Sequence, residues 1–316
     1  MTTTTISRPG GVELHTCIWE PAGAPKAIVQ IAHGMAEHSG RYARFAQALT
    51  GAGYVVYASD HRGHGQTSPP GAEHGYFADE DGFGSVVADL HAVTERARAD
   101  YPGLPVFLFG HSMGSFLARA YAAQYGAELA GLLLSGTGGD PGALGKVGLR
   151  LARAQGRARG RRYTSGLMDR LTFGQYNKDF APARTKFDWL SRDPAEVDAY
   201  VADPMCGNVF TAGFFDDLLT GLAQVNDPKT TAAVPKELPI HLLSGSMDPV
   251  GAKTVGVEQV ARAYRDAGVR SVTTQYYLGA RHELLNETNR DEVTADVIAW
   301  LDAHLSEPDE RPRKGR

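Results

Sequence analysis

The sequence Gly-His-Ser-Met-Gly at residues 110 to 114 is the part of the chain best suited to chemistry. It fits Gly-x-Ser-x-Gly, in which a serine on a tight turn between a strand and a helix presents its hydroxyl for nucleophilic attack. The apolar run Val106 to Phe109 precedes the motif, and a helical pattern begins at Ser115. The motif therefore has the setting that this chemistry needs, and we predict that Ser112 is a nucleophile rather than a capping serine.

A serine hydroxyl becomes a good nucleophile only when a nearby base takes its proton, and a carboxylate must hold that base in place. For this motif the usual order along the chain is serine, acid, histidine. His282 is the predicted base, because it lies between a strand ending at Tyr277 and the last helical pattern. Asp248 follows the preceding strand and is the predicted acid. Glu283 neighbours His282 in sequence, but in most loop geometries its side chain would point away from the imidazole. Asp248 is therefore preferred as the acid.

Acyl transfer also needs at least two N–H donors that are already aimed at the developing oxyanion. The backbone N–H of Met113, directly after the nucleophile, is the predicted first donor. Gly34 lets the chain turn after the strand Ala27 to Ala32, so that the N–H of Met35 becomes the predicted second donor.

The segment Asp60 to Gly65 contains an aspartate and two histidines three residues apart, a spacing that would suit a metal ion. No further ligand cluster accompanies it, and Gly63 and Gly65 are typical of a tight turn. We therefore predict a packed turn at this segment, with no metal site and no cofactor.

Short apolar runs rich in β-branched residues alternate with longer helical patterns along most of the chain. This alternation predicts an α/β fold with a mostly parallel central sheet flanked by helices. The predicted strands are Gly11 to Ile18, Ala27 to Ala32, Tyr54 to Ser59, Val106 to Phe109, Leu132 to Leu134, Ile240 to Leu243 and Val272 to Tyr277. The predicted helices are Arg41 to Leu49, Val86 to Arg98, Phe116 to Tyr125, Val257 to Tyr264 and Glu292 to His304.

Residues 137–225 break this alternation, because helical patterns there are separated by Gly, Pro and Asp and no strand-like run occurs. We expect a helical cap inserted into a core domain of residues 1–136 and 226–305, followed by a disordered tail at 306–316. The stretch Lys146 to Arg170 has eight basic residues and one acid, Asp169. It suits either transient contact with an anionic membrane or, as we favour, a solvated cap helix with its apolar side on the core.

The composition places bounds on the function. A chain of 316 residues can build a sizeable core, and its net charge of −4 argues against nucleic acid as a partner. The two cysteines, Cys17 and Cys206, exclude a disulfide framework. No apolar run approaches the ~18 residues of a membrane span, and the N-terminus lacks the pattern of a secretory signal, so we expect a cytoplasmic location.

Taken together, these segments resemble the monoacylglycerol lipase and lysophospholipase branch of the α/β-hydrolase superfamily. The likeness runs from about Leu14 to Leu305, and its specific blocks are His33-Gly34, Glu37 to Tyr42, Asp60 to Gly65, Gly110 to Gly114, Ser244 to Gly251 and His282 to Leu284. The resemblance implies a catalytic triad of Ser112, Asp248 and His282. It also implies that Glu37 and Arg41 lie near the polar head of the substrate.

The function implied is hydrolysis of the carboxylic ester of a single-chain lipid, a monoacylglycerol or a lysophospholipid, through an acyl-enzyme on Ser112. The cap would enclose the acyl chain, and we expect Phe210 and Phe214 to line the tunnel. One alternative is the same triad acting on small soluble esters, amides or peptides. A more remote alternative is a ligand-binding protein without catalysis.

Overall fold

An eight-stranded sheet forms the centre of the molecule in a computed structural model that describes residues 1–68 and 74–305. The expected tail at 306–316 lies outside the described residues. The strands are β1 (Thr2–Arg8), β2 (Val12–Trp19), β3 (Ala27–Ala32), β4 (Tyr54–Ser59), β5 (Val106–His111), β6 (Gly131–Ser135), β7 (Ile240–Gly245) and β8 (Val272–Tyr277).

The spatial order of the strands is β1-β2-β4-β3-β5-β6-β7-β8. The six strands from β4 to β8 run parallel, and β1 and β2 form an antiparallel edge. Every residue of β3, β4, β5, β6 and β7 is buried, which explains why these strands are almost continuously apolar. The predicted fold class, a mostly parallel α/β sheet, is therefore confirmed.

The first strand, β1, was not predicted from the sequence. It pairs with β2 from Thr2 opposite Ile18 to Arg8 opposite Val12. Its run of threonines favours strand geometry because their side chains are β-branched, but it gives no alternation of apolar and polar residues. At the edge of the sheet little of the strand is buried, so no apolar pattern is needed.

Helices cover both faces of the sheet. They are α1 (Ala43–Gly51), α2 (Gly82–Asp100), α3 (Met113–Tyr125), α4 (Gly142–Arg159), α5 (Gly166–Phe173), α6 (Pro194–Ala202), α7 (Ala212–Val225), α8 (Pro228–Ala233), α9 (Val255–Asp266) and α10 (Arg290–Ala303). Helices α1 and α10 pack on one face against Val29, Phe107 and Leu133. Helices α2, α3 and α9 pack on the other face, where Leu132 and Leu134 point. The alternation along β6 thus divides the core into two layers.

Helices α4 to α7 lie within residues 137–225, which we call the cap. Among the described residues, the cap holds no strand beyond a single bridge between Thr164 and Thr211. Helix α7 packs on α4 and also on α2 and α3 of the core. The Thr211 side chain caps α7 by accepting a hydrogen bond from the Phe214 N–H, and Ser165 caps α5 in the same way.

Helix α4 does not place its apolar side on the core, although that was the interpretation favoured from the sequence. Leu144 and Val147, which belong to that side, are 83% and 57% exposed. Ala152 is the buried residue of this helix, and α4 packs mainly on α7. None of the helices among the described residues is long and apolar enough to cross a membrane.

Candidate active site

Ser112 lies on a tight turn between β5 and α3 with a strained backbone, φ 52° and ψ −120°. The turn requires glycine on both sides, because a Cβ on Gly114 would collide with the carbonyl oxygen of Ala32 and one on Gly110 would lie 2.5 Å from the carbonyl oxygen of Gly114. The N–H of Ser112 donates to the Ser135 carbonyl at 2.9 Å. These contacts hold the residue in a conformation that an isolated serine would rarely adopt.

His282 and Asp248 form a buried pair in the loops that follow β8 and β7. Nδ1 of His282 lies 3.0 Å from each carboxylate oxygen of Asp248. The two loops fit closely, because a Cβ on Gly245 would collide with the carbonyl oxygens of Ala280 and Arg281. With its Nδ1 proton directed at Asp248, the imidazole leaves Nε2 free to accept a proton.

A cavity of about 400 Å³ brings Ser112 and His282 to one surface. Its volume lies within the range of small-molecule sites in proteins. The cap supplies an apolar and aromatic wall: Phe173, Phe187, Trp189, Leu190 and Tyr200. It also supplies four more accessible polar residues, which we call the rim: Asp169, Arg170, Lys186 and Asn208. Buried polar residues of the core form what we call the inner end: Glu37, His111 and Glu283. The Trp189 ring lies beside the His282 imidazole, with 5.0 Å between the ring centres.

The loop after β3 runs directly against the serine turn. A Cβ on Gly34 would lie 3.2 Å from Cβ of Ser112, and the next residue, Met35, lines the cavity. Met113 is the first residue of α3, where backbone N–H groups have no partner within the helix. Both residues expected to supply oxyanion donors are therefore neighbours of Ser112.

A buried ion network connects the loop after β3 to the histidine loop. The Arg41 guanidinium donates to both oxygens of Glu283 at 2.6 and 2.8 Å and to Glu37 at 2.8 Å. Glu37 also accepts from the N–H of Gly34 and the hydroxyl of Tyr42. Burial alone would raise the pKa of Glu283, but the ion pair with Arg41 lowers it to about 2.

The roles expected for Glu37 and Arg41 are only partly compatible with this arrangement. Glu37 lines the cavity, but Arg41 lies behind it, between the two carboxylates and under the ring of Tyr200 at 4.8 Å. Arg41 therefore joins two loops as a buried cation and does not line the cavity. Glu283 points to Arg41, and Asp248 holds His282, as expected from their positions in sequence.

The placement predicted for Phe210 and Phe214 is wrong. Both residues belong to the cap, their side chains are buried where the cap meets the core, against Phe77 and His64, and neither lines the cavity. Instead, the irregular segment before α6 supplies Phe187 and Trp189, which were not predicted from the sequence. The available signal was the presence of large aromatic residues in a segment without helical periodicity.

The residues weighed as metal ligands differ in their partners. Nε2 of His61 donates to the His33 carbonyl at 3.0 Å, whereas Nε2 of His64 is buried without a hydrogen-bond partner among the described residues. Asp60 accepts hydrogen bonds from the N–H groups of Ser39 and Gln66, as in the packed turn predicted there. Burial lowers the pKa of His61 to about 4 and that of His64 to about 3.

His38, Asp203 and Cys206 bring possible ligand atoms within 4.8 Å of one another in the described part of the chain. Nδ1 of His38 accepts from the Gly40 N–H, so Nε2 carries the hydrogen and donates to Asp203 at 2.8 Å. This group therefore forms a hydrogen-bonded link between the cap and the loop after β3.

The parallel sheet, the serine turn after β5 and the histidine loop after β8 define the class of the protein as α/β-hydrolase. The chain belongs to the serine aminopeptidase, S33, family, whose model matches residues 23–289.

Relatives within this class include lipases and esterases. The chain is 31% identical to the monoacylglycerol lipase of Mycolicibacterium smegmatis, over 94% of the chain and 95% of that protein. It is 31% identical to the monoglyceride lipase of Homo sapiens, over 92% of the chain and 85% of that protein. A thermostable carboxyl esterase from Bacillus coagulans, solved with glycerol, superposes with a TM-score of 0.90 at 30% identity. The match covers 96% of this chain and 99% of that structure. The resemblance seen in the sequence is confirmed.

We expect kcat/KM for ester hydrolysis to rise with pH through a midpoint above 6.5. Burial would lower the pKa of His282, but Asp248, Glu283 and Glu37 together raise it, so the neutral base forms at higher pH. Hydrolysis of p-nitrophenyl butyrate between about pH 5 and 9 measures the midpoint.

Glu283→Gln should move that midpoint to lower pH, because it removes one of the negative charges that favour the imidazolium form. Glu258→Gln is the matched control, since Glu258 lies on α9 and pairs with Arg265 on the surface. A profile without a basic limb, or an unchanged midpoint in Glu283→Gln, would contradict this assignment.

Proposed function

We propose that the protein is a serine hydrolase that cleaves the ester of a monoacylglycerol-type lipid through an acyl-enzyme on Ser112. Its family and its relatives make it a carboxylic ester hydrolase. The observation that carries the residue assignment is the cavity whose inner end presents Ser112 together with His282, whose other nitrogen is held by Asp248.

In this mechanism, Nε2 of His282 takes the proton of Ser112 as the hydroxyl attacks the ester carbonyl. The N–H groups of Met35 and Met113 stabilise the oxyanion of the tetrahedral intermediate. His282 then gives its proton to the departing alcohol, and water hydrolyses the acyl-enzyme by the same sequence of steps. Asp248 keeps the imidazole in the required tautomer and stabilises its charged form.

The cavity wall supports a substrate with one apolar chain. Phe173, Phe187 and Trp189 present aromatic surface, against which methylene groups gain free energy by leaving water. A small soluble ester or peptide would leave much of this wall uncovered. A lysophospholipid is a second candidate, because Arg170 and Lys186 in the rim are cations that suit a phosphate group.

Ser112→Ala should remove turnover, leaving less than about a hundredth of the wild-type rate, because no acyl-enzyme can form. It should also abolish labelling by a fluorophosphonate probe.

Asp248→Asn should lower kcat by about 10²- to 10⁴-fold, because the imidazole loses its correct tautomer and a stabilising charge. Steady-state kinetics and gel-based labelling provide the two measurements.

Ser85→Ala is the control, since Ser85 lies in α2, outside the cavity lining. Substantial hydrolysis or continued labelling in Ser112→Ala would refute the nucleophile assignment.

We expect kcat/KM to increase from acetyl to octanoyl esters, by up to about fourfold per methylene, while the aromatic wall still has room. Phe187→Ala should flatten this increase, because it removes part of the wall. A panel of p-nitrophenyl esters below their micellar concentrations, with monooleoylglycerol and lysophosphatidylcholine, measures chain and head-group preference.

Phe180→Ala is the matched control, because Phe180 lies in the same cap segment but does not line the cavity. A steady decline in kcat/KM with chain length would favour the small-ester alternative instead.

We also propose that the cap makes transient contact with an anionic membrane surface. Leu144, Val147, Leu167 and Leu171, which we call the apolar patch, have side chains 83%, 57%, 46% and 56% exposed. The patch lies on α4 and α5, and α5 also lines the cavity. Exposed basic residues of α4, among them Lys146, Arg150 and Arg157, give this surface a charge complementary to anionic lipid.

Wild-type protein should sediment with vesicles that contain phosphatidylglycerol, and less with vesicles of phosphatidylcholine alone, because charge and apolar contact act together. The double substitution Leu144→Ser and Leu171→Ser should reduce sedimentation by about tenfold or more. The control pair, Val255→Ser and Leu278→Ser, changes exposed apolar residues outside the cap. Equal sedimentation of both double variants would contradict the proposed contact.

A further inference from the structure

Arg119 is a buried cation in the helix that begins at the nucleophile. It lies on α3, seven residues after Ser112, and is 3% exposed. Within residues 1–68 and 74–305, no carboxylate forms an ion pair with it. A buried charge without a counter-ion is costly unless its hydrogen bonds are satisfied, so the acceptors around Arg119 identify what the residue does.

The three acceptors that the terminal nitrogens bond lie at the two points where the chain crosses between core and cap. Tyr264 of α9 is a further neighbour of the guanidinium, and Nε of Arg119 has no hydrogen-bond partner among the described residues. One terminal nitrogen of Arg119 donates to the carbonyl of Gly138 at 3.0 Å, where the chain enters the cap. The other donates to the carbonyl of Val225 at 3.0 Å and to Oδ1 of Asn226 at 2.8 Å, where the chain returns to the core. A single guanidinium therefore joins both crossings to α3.

The first crossing has a backbone that needs such support. Gly136 has a positive φ of 60°, and Gly138 and Gly139 follow it without side chains to anchor them. A Cβ on Gly138 would lie 2.8 Å from the Val250 carbonyl oxygen, so the crossing is packed against the loop that carries Asp248. Helix α4 begins directly after this segment and packs on α7, which ends at the second crossing.

The other half of the cap is attached to the core independently of Arg119. The Tyr200 hydroxyl donates to the Ala36 carbonyl at 2.8 Å, and the N–H of Glu283 donates to the Leu190 carbonyl at 2.8 Å. By contrast, α4 packs mainly on α7, and α5 is joined to α4 and, through the stacked rings of Phe173 and Trp189, to the other half of the cap. Helix α5 contributes Gly166, Asp169, Arg170 and Phe173 to the cavity wall.

We propose that Arg119 is a positioning residue that clamps the base of the cap and thereby sets the distance of α5 from the substrate. The fork of the guanidinium is essential, because lysine offers one nitrogen and cannot bond both crossings in the same geometry. The effect on substrate preference rests on the function proposed above, whereas the clamp itself is a property of the fold.

Two variants test the clamp. Arg119→Lys should weaken it at both crossings, and Asn226→Ala should weaken it at the second crossing by removing the Oδ1 acceptor. Hydrogen exchange of the backbone amides should accelerate about tenfold or more in α4 and α5 of Arg119→Lys, and less strongly in Asn226→Ala, with little change in α6. Asn226→Ala also removes the hydrogen bond from the Asn226 amide to the Leu222 carbonyl, so faster exchange confined to the end of α7 reports that loss and not the clamp.

The kinetic measurement is the ratio of kcat/KM for octanoyl and acetyl p-nitrophenyl esters. Weakening the clamp should raise KM for the octanoyl ester by about fivefold or more, while kcat for the acetyl ester stays within about twofold. Arg262→Lys, on the surface of α9, is the control. Uniformly faster exchange in Arg119→Lys, or unchanged exchange of α4 and α5 in both Arg119→Lys and Asn226→Ala, would overturn the clamp. Because exchange needs no turnover, this result is separate from failure of the proposed esterase activity.

Discussion

A backbone turn with no room for side chains at its two ends determines where every other group in the site must lie. Ser112 keeps its positive φ because Gly110 and Gly114 allow β5, α3 and the carbonyl of Ala32 to approach one another closely. The strain is maintained by the surrounding sheet, whose strands are buried on both faces. The loops that follow β3, β7 and β8 begin beside this turn, because the carboxyl ends of parallel strands meet at the same edge of the sheet.

The charges around His282 are arranged to favour its protonated form. Asp248, Glu283 and Glu37 all raise the pKa of His282, while Arg41 is held between two of these carboxylates. Burial opposes this by penalising the charged imidazole, so the carboxylates compensate for the loss of water. Such a field favours an imidazolium at His282, and the Arg41 network fixes the positions of Glu37 and Glu283 by joining two separate loops.

The sequence predicted the sheet better than it predicted the cap, for a physical reason. Strands β3, β4 and β8 were predicted residue for residue, because β-branched and apolar runs bounded by turns carry a strong local signal. Asp248 and His282 could be chosen because parallel strands bring their following loops together. The apolar character of Phe210 and Phe214 showed that they would be buried, but not whether substrate or the core would cover them. The sequence also placed Arg41 near the site. It could not show that Arg41 pairs with Glu283, because the two residues are 242 positions apart.

The meeting of the two chain crossings at Arg119 has a consequence for how such proteins can diversify. Residues 137–225 form a loop whose two ends, which we call the neck, bond one guanidinium. Between the crossings, the chain is therefore constrained by its contacts with the loops after β3 and β8 rather than by the sheet itself. A different helical segment could be grafted at the same neck without altering β6 or β7, provided that its ends offered carbonyl groups to the guanidinium. The neck is thus a natural boundary for exchanging substrate-recognition modules while the hydrolytic machinery is left intact.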